Sequence, residues 1–289
     1  MISEEIKVLE KADLPLPLTE IPDPPKKLYL KGTLPDPKAN IFLCVVGARK
    51  YTSYGKEICE TLIAGLRGYP VAVVSGLAFG IDGIAHRAAL AAGLKTVAFP
   101  GSGLKDEVLY PASHRQLARE ITENGGALLS EFEPNFRATP WAFPQRNRLM
   151  AGISRAVLVV EAEKKSGTLI TARLAAEYNR DVLTVPGSVF ARNSEGPHLL
   201  IRLGATPITS AGELLDALGF ESGSEDAGER DYSDCSDEEK KLLELLSGPI
   251  SRDELIARSG FAVSRANALL SILEIKGLIK ESMGEVARS

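Results

Sequence analysis

The run Val71-Ala72-Val73-Val74 is short, apolar at every position and mostly β-branched, and it breaks off in the small-residue turn Ser75 to Gly80 before a helical stretch begins. A strand of that kind has no solvent face, so it belongs in a sheet covered on both sides. The same unit recurs along the chain. Ile41 to Val46 leads through Gly47-Ala48-Arg49 to a helix from Ser53 to Leu66, and Lys95 to Phe99 ends in Pro100-Gly101-Ser102-Gly103 before a helix from Ser113 to Glu123. Ala127 to Ser130, Ala156 to Val160, Val182 to Val185 and Thr206 to Ile208 complete the series, with a helix from Thr168 to Tyr178 among them. Strands alternating with helices predict an α/β fold with a parallel sheet, whose ligands sit beyond the carboxyl ends of the strands. That rule gathers Gly47–Arg49, Ser75–Gly80, Gly101–Gly103, Glu161–Gly167 and Pro186–Ser188 on one rim.

A strand-to-helix turn such as Ser75–Gly80 leaves backbone N–H groups free at a helix N-terminus, which suits an anion; a tight turn without any ligand reads equally well from these residues. Asp82 is expected as the N-cap of the helix from Gly83 to Ala92. Gly101-Ser102-Gly103 lacks the third glycine of a dinucleotide fingerprint, and Gly76–Gly80 lacks the lysine and hydroxyl of a P-loop, which argues against conventional NAD or ATP sites. No cofactor is expected.

Basic and aromatic side chains fill the rim instead. Arg49 follows a strand directly, and Lys164-Lys165-Ser166-Gly167-Thr168 form a donor-rich corner before a helix. In Phe143-Pro144-Gln145-Arg146-Asn147-Arg148 the two arginines lie two apart, about 200° on a helix, so one is expected at the ligand with Asn147 while the other pairs with an acid inside the domain. Phe143 and Trp141 offer faces on which an unpaired base can stack, although core packing explains them as readily. No nucleophile–base set emerges: His86, His114 and His198 are isolated, Asp82 and Glu161 have structural readings, and no metal-ligand spacing occurs, so neither catalysis nor a metal is expected.

The flanks differ from this core. Seven prolines before Ala39 exclude a long helix there, and predict an arm (1–39) laid over the next domain with Leu28-Tyr29-Leu30 as a short edge strand. The stretch Glu221 to Lys241 holds nine acids and three bases, so the net charge of −4 conceals a value near +2 for the remainder. We expect a sheet domain over 40–220, an acidic linker over 221–236 and a helical module over 237–289. Ser251-Arg252-Asp253-Glu254 resembles a capping box, and the third helix, Ser264 to Lys276, stops at Gly277, which suits a winged helix-turn-helix. As a reader of duplex DNA that helix would offer only Arg265, Asn267 and Lys276, and protein contact is the favoured reading. Three cysteines without a CxxC pair, a charged N-terminus and no apolar run of 18 residues lead to expectations of a cytoplasmic location and no membrane.

Several motifs occur together: Val74-Ser75-Gly76-Leu77-Ala78-x-Gly80-Ile81-Asp82, Tyr110-Pro111 with His114, Phe143-Pro144-x-Arg146-Asn147-Arg148, Val159-Val160-Glu161-Ala162, Ser166-Gly167-Thr168-Leu169-Ile170-Thr171-Ala172, and Val185-Pro186-Gly187. Over residues 41 to 208 the chain closely resembles the DNA processing protein A (DprA/Smf) family, and the module from Asp237 looks like the winged-helix-like domain of many members. The resemblance implies an extended Rossmann-like parallel-sheet domain, single-stranded-DNA binding, a homodimer, and a role in protecting incoming DNA and loading a RecA-type recombinase during natural transformation, without enzymatic turnover. By position it places Arg49, Ser75, Gly76, Arg146 and Asn147 at a phosphate pocket; Phe79, Phe143, Arg148, Lys164, Lys165, Ser166 and Gly167 join them from the rim argument. Phe79 and Ala112 stand where relatives often carry cations, His198 where asparagine is frequent, and the small helical domain many members carry before Ile41 has no counterpart expected here. The competing reading is a Rossmann-like enzyme acting on nucleoside monophosphate glycosides, which Pro100-Gly101-Ser102-Gly103-Leu104 fits only in half.

Overall fold

A computed structural model describes residues 5–220, 235–246, 250–282 and 284–288, in two compact units dividing after Ser222. The expected acidic linker falls almost wholly on residues outside those described. The first unit is built on nine strands: β1 (Lys7–Glu10), β2 (Lys27–Gly32), β3 (Ile41–Val46), β4 (Val71–Ser75), β5 (Lys95–Ala98), β6 (Ala127–Ser130), β7 (Ala156–Val159), β8 (Asp181–Thr184) and β9 (Thr206–Pro207). Their spatial order is β1-β2-β6-β5-β4-β3-β7-β8-β9, and every pairing from β6 to β9 is parallel. The α/β architecture read from the alternating pattern is therefore the observed one.

Helices α1 (Leu16–Thr19), α2 (Ser53–Ala64), α3 (Ile81–Ala91), α4 (Arg115–Glu123), α5 (Ala142–Ile153), α6 (Thr168–Glu177), α7 (Glu195–Arg202) and α8 (Ala211–Ala217) cover both faces. The alternate residues of each strand serve the two faces. Phe42, Cys44 and Val46 of β3 pack with α5 residues Leu149, Met150 and Ile153, while Leu43 and Val45 pack with Leu62 and Ile63 of α2 and Ile84 and Ala85 of α3.

The proline-rich arm departs from the expectation. Leu28-Tyr29-Leu30 lie in β2, which pairs antiparallel with β6 on one side and with β1 on the other, so β1 is the edge strand. Both strands stop short of the prolines: Pro15, Pro17, Pro22, Pro24 and Pro25 fall between them, in α1 and the adjoining turns, and Pro35 and Pro37 follow β2, so none interrupts the ladder. Leu14 and Leu18 are buried in the main core, and Gly152 of α5 leaves room for Leu18 and Ile21 to press on the helix.

His86, on the inner side of α3, is fully buried. The Thr96 hydroxyl donates to the Val73 carbonyl at 2.8 Å, so the 2.7 Å contact between Thr96 Oγ1 and His86 Nδ1 requires the imidazole to donate, and Nε2 has no partner. Burial first, then the charges of His114, Arg146 and Arg87, push its pKa down to about 3. The unfolded imidazole binds its proton near pH 6.5, the folded one only near 3, so stability is full above pH 6.5 and declines as pH falls toward 3. We expect a loss of about 2 kcal/mol at pH 5 relative to pH 7. Urea midpoints from pH 7 to 4.5 check this: His86→Leu should flatten the slope, and an unaltered slope would place the acid lability elsewhere.

In the second unit, α9 (Asp237–Leu245), α10 (Arg252–Ser259) and α11 (Val263–Ile275) enclose a core of Leu242, Leu255, Leu269 and Leu273. A three-stranded sheet in the order β10 (Ile250–Ser251), β12 (Glu285–Arg288), β11 (Ile279–Ser282) completes the wing. Ser236 forms a full capping box with Glu239, whereas Ser251 accepts from the Glu254 N–H at 3.3 Å.

Candidate nucleic-acid interface

The chain runs from β3 outward to β6, then returns to place β7 on the other side of β3. Loops leaving β3 and β7 therefore diverge at their carboxyl ends, and a crevice opens where the strand order reverses. A cleft of about 670 Å³ occupies that place, lined by Gly47–Lys50 after β3, by Phe143, Arg146 and Asn147 of α5, and by Glu163 and Lys165–Thr168 before α6. Asn193 also lines it.

Arg49 is exposed at the mouth, its guanidinium 5.4 Å from the centre of the Phe143 ring. That stacking holds a fork of five donors while leaving its edge open to an anion. Gly80 fixes the backbone beneath: a Cβ there would lie 2.2 Å from the Ala48 oxygen and 2.6 Å from Arg49 Cα. Lys50, one residue on, adds a second cation to the cleft. Its sequence signal was adjacency to Arg49, which the strand-end argument used for one residue only.

Arg146 lies deeper, only 4% exposed. Its Nη1 donates to Met150 Sδ at 3.1 Å and its Nε has no partner. Gly76 makes the space, since a Cβ there would fall 1.7 Å from Nη1. Burial draws the guanidinium pKa down to about 10, against the opposing pull of Asp82, and leaves it charged at neutral pH.

The Ser75–Gly80 turn is not an open anion cradle. Helix α3 begins at Ile81 with Gly80 as its N-cap, and Asp82 reaches back so that one carboxylate oxygen accepts the N–H groups of Gly76, at 3.1 Å, and Ala78, at 3.4 Å. The anion occupying the turn is the protein's own. Burial raises the Asp82 pKa, while Arg146 and those two N–H groups oppose the rise. Leu77 takes a left-handed φ of 57°, and its carbonyl accepts from His114 Nδ1 at 2.9 Å.

The corner before α6 is likewise satisfied from within. Ser166 Oγ accepts the Thr168 N–H at 3.2 Å, and the Leu169 and Ile170 N–H groups bond to Ser166 and Gly167 carbonyls. Thr168 Oγ1 donates to Gly47 O at 3.1 Å, tying the two loops together. Lys165, Ser166 and Gly167 line the cleft through what remains exposed. Glu161 is taken up by Thr52 N–H at 3.0 Å, Thr52 Oγ1 at 2.5 Å and Asn193 Nδ2 at 3.2 Å. Asn193 gave no sequence signal, because its partner is 32 residues away.

Five expected site residues are thus placed otherwise. Arg148 points away from Arg146 and binds both Glu131 oxygens, at 2.6 and 2.7 Å, as the 200° separation demands. Ser75 is fully buried and donates to Val45 O at 2.6 Å. Gly76 backs Arg146 without lining the cleft. Phe79, 44% exposed, lies edge-on to His114. Lys164 is absent from the cleft lining and borders an adjoining groove of about 480 Å³ with Leu169, Leu200 and Leu203, which meets the cleft at Lys165–Gly167. The glycines of Pro100–Gly103 serve close packing, Gly101 on the Phe143 ring and Gly103 on the Glu133 and Pro134 carbonyls. His198 Nε2 donates to Gly187 O at 3.0 Å, pinning the β8 loop.

In the second unit the three groups that α11 and its C-cap would offer a duplex are engaged. Arg265 donates to Glu238, Lys276 to both oxygens of Glu239 at 3.0 Å, and Asn267 accepts from Arg252. Among the described residues no group of three or more His, Cys, Asp or Glu side chains could hold a metal, and no helix is long and apolar enough to cross a membrane.

Known proteins resemble the chain in sequence and fold. Residues 5–219 match the family model for the DNA recombination-mediator protein A, and residues 228–285 that for the DprA winged helix domain. Protein Smf of Escherichia coli strain K12 is 43% identical over 202 residues, covering 68% of this chain. The chain spans 52% of the length of that protein and 61% of that of the Mycobacterium tuberculosis relatives. The crystal structure of DNA processing protein A from Streptococcus pneumoniae superposes with a TM-score of 0.68 at 39% identity, covering 74% of each chain. The Helicobacter pylori protein, studied for its single-stranded DNA binding mode, gives 0.67 at 31% identity, covering 74% of this chain and 95% of that one.

Proposed function

The chain belongs to the DNA recombination-mediator protein A family, and from that premise we propose that it binds single-stranded DNA in the cleft at the β3/β7 switch point. The observation that carries the reading is Arg49 spread over Phe143 at the mouth of a cleft also furnished with Lys50, Arg146 and Lys165. A cation beside a half-buried aromatic ring at a cleft mouth suits a phosphate followed by an unpaired base, and a base in a duplex could not reach such a ring. The Helicobacter pylori relative's single-stranded DNA binding supports the same ligand.

In this reading the protein is a binding module without turnover, works as a homodimer in the cytoplasm, protects incoming DNA, and helps load a RecA-type recombinase during natural transformation. The engaged cations of α11 favour protein contact over duplex reading in the second unit.

Arg49→Ala should weaken binding of labelled oligo-dT about tenfold, the worth of one charge-assisted contact, and lower the slope of log K against log salt by about 0.7. Anisotropy titrations between 50 and 200 mM salt measure both; unchanged affinity and slope would remove Arg49 from the site. Recombinase loading is read from strand exchange on DNA precoated with single-strand-binding protein, where the absence of stimulation rejects it. Release of free base from nucleoside monophosphates would establish the enzymatic alternative.

A further inference from the structure

Arg49, Lys50, Arg146 and Lys165 face the cleft against the carboxylates of Asp82 and Glu163, a surplus of two positive charges. Three of the cations are exposed at the mouth, whereas Arg146 lies at the floor, 4% exposed. Its Nη1 meets only a thioether and its Nε meets nothing, so a buried guanidinium is left short of acceptors. Asp82 does not supply them: no ion pair within 4 Å joins the two among the described residues, and one of its oxygens is committed to the Gly76 and Ala78 N–H groups. Asn147 brings an amide to the same wall.

The depth of Arg146 discriminates between kinds of phosphate. A phosphodiester within a strand carries one negative charge and two ester arms, both of which would have to pass the mouth to bring its oxygens to the floor. A terminal phosphomonoester has a single arm, three free oxygens and a charge near −2 at neutral pH, matching the surplus. We propose that the floor of this cleft seats a terminal phosphomonoester, that of a DNA end or of a free nucleotide, with Arg146 beneath it and Arg49, Lys50 and Lys165 around it. The proposal rests on the reading of the cleft as the DNA site and narrows it: the first base stacks at Phe143, and the strand leaves through the mouth. The glycines and N–H groups of the neighbouring turns take no part, because Asp82 and Ser166 already fill them.

The test compares internally labelled oligo-dT of one length bearing a 5′-phosphate, a 3′-phosphate or hydroxyls at both ends, on the full chain at pH 7.5, with thymidine monophosphate and inorganic phosphate as competitors. One phosphorylated end should bind about tenfold more tightly than the hydroxyl form, and thymidine monophosphate should displace it at lower concentration than inorganic phosphate does. Arg146→Lys, which keeps the charge and loses the fork, should bring the ratio of phosphorylated to hydroxyl affinity toward one; if that protein does not fold, Asn147→Ala reads the same ratio. Equal affinities for all three oligonucleotides overturn the phosphomonoester seat and leave single-stranded-DNA binding standing. Failure of every oligonucleotide and of thymidine monophosphate to bind takes down both. Binding of thymidine monophosphate with none to any oligonucleotide keeps the seat and assigns it to free nucleotides.

Discussion

Replacing Gly80 with alanine should lower the unfolding free energy by about 3 kcal/mol and loosen the cleft in the molecules that stay folded. Gly80 sits at φ +80° and ψ −132°, a combination nearly closed to residues with a Cβ. The added carbon would also lie 2.2 Å from the Ala48 oxygen and 2.6 Å from Arg49 Cα. These are backbone atoms, which cannot swing aside as the end of a lysine can. Relief must come from parting the β3 loop from the start of α3, and this stretches the bond from the Ile81 N–H to Ala48 O, now 3.2 Å. Arg49 moves with that loop, so oligo-dT affinity should fall together with stability.

Gly68 separates the two causes. It has φ +85°, yet nothing lies within 4 Å of a Cβ built there, so Gly68→Ala reports the dihedral cost alone, about 1 kcal/mol. Urea midpoints at equal m-values compare the two variants. If both lose the same stability, the contact with Ala48 and Arg49 contributes nothing and Gly80 is there for its dihedral only.

The sheet was legible because its strands are apolar on both faces and end in glycine turns; Ile41–Val46 and Ala127–Ser130 match the expected bounds residue for residue. Of the β1/β2 pair, the strand at Leu28–Leu30 was legible but not its inner place, since Lys27 and Lys31 flank its apolar centre as they would an exposed edge, and β1 was not read at all. At the site, the sequence yields which loops collect but not which way a side chain turns within a loop. Arg49, Phe143, Arg146, Asn147 and Lys165 line the cleft; Lys164, one residue away, lines only the adjoining groove, which Lys165 also borders. Asp82 shows the limit most clearly. An aspartate early in a helix reads as a cap, and only the left-handed turn at Leu77 bends the Gly76 and Ala78 N–H groups into its reach. Nothing in the identity of leucine announces that turn.

The paired arginines of α5 give the second large effect and divide stability from binding. Arg148→Ala should cost about 3 kcal/mol while leaving oligo-dT affinity per folded molecule unchanged. The Arg148 side chain is 10% exposed and its partner Glu131 19%, so the bidentate contact is largely removed from water. Its Nε also lies 3.2 Å from Asp23, but that carboxylate is exposed and adds little. Loss of the guanidinium leaves Glu131 with the Gln145 amide at 3.0 Å and an uncompensated charge, which is what makes truncating one partner expensive. If the charge is the cause, adding Glu131→Gln to Arg148→Ala should restore part of the stability, and a double-mutant cycle in urea measures that coupling. The same helix carries Arg146 on its opposite side, against the cleft floor, and neither arginine can stand in for the other without turning the helix by half a revolution. A variant at Arg148 that kept its stability and lost DNA binding would reverse the assignment of the two residues.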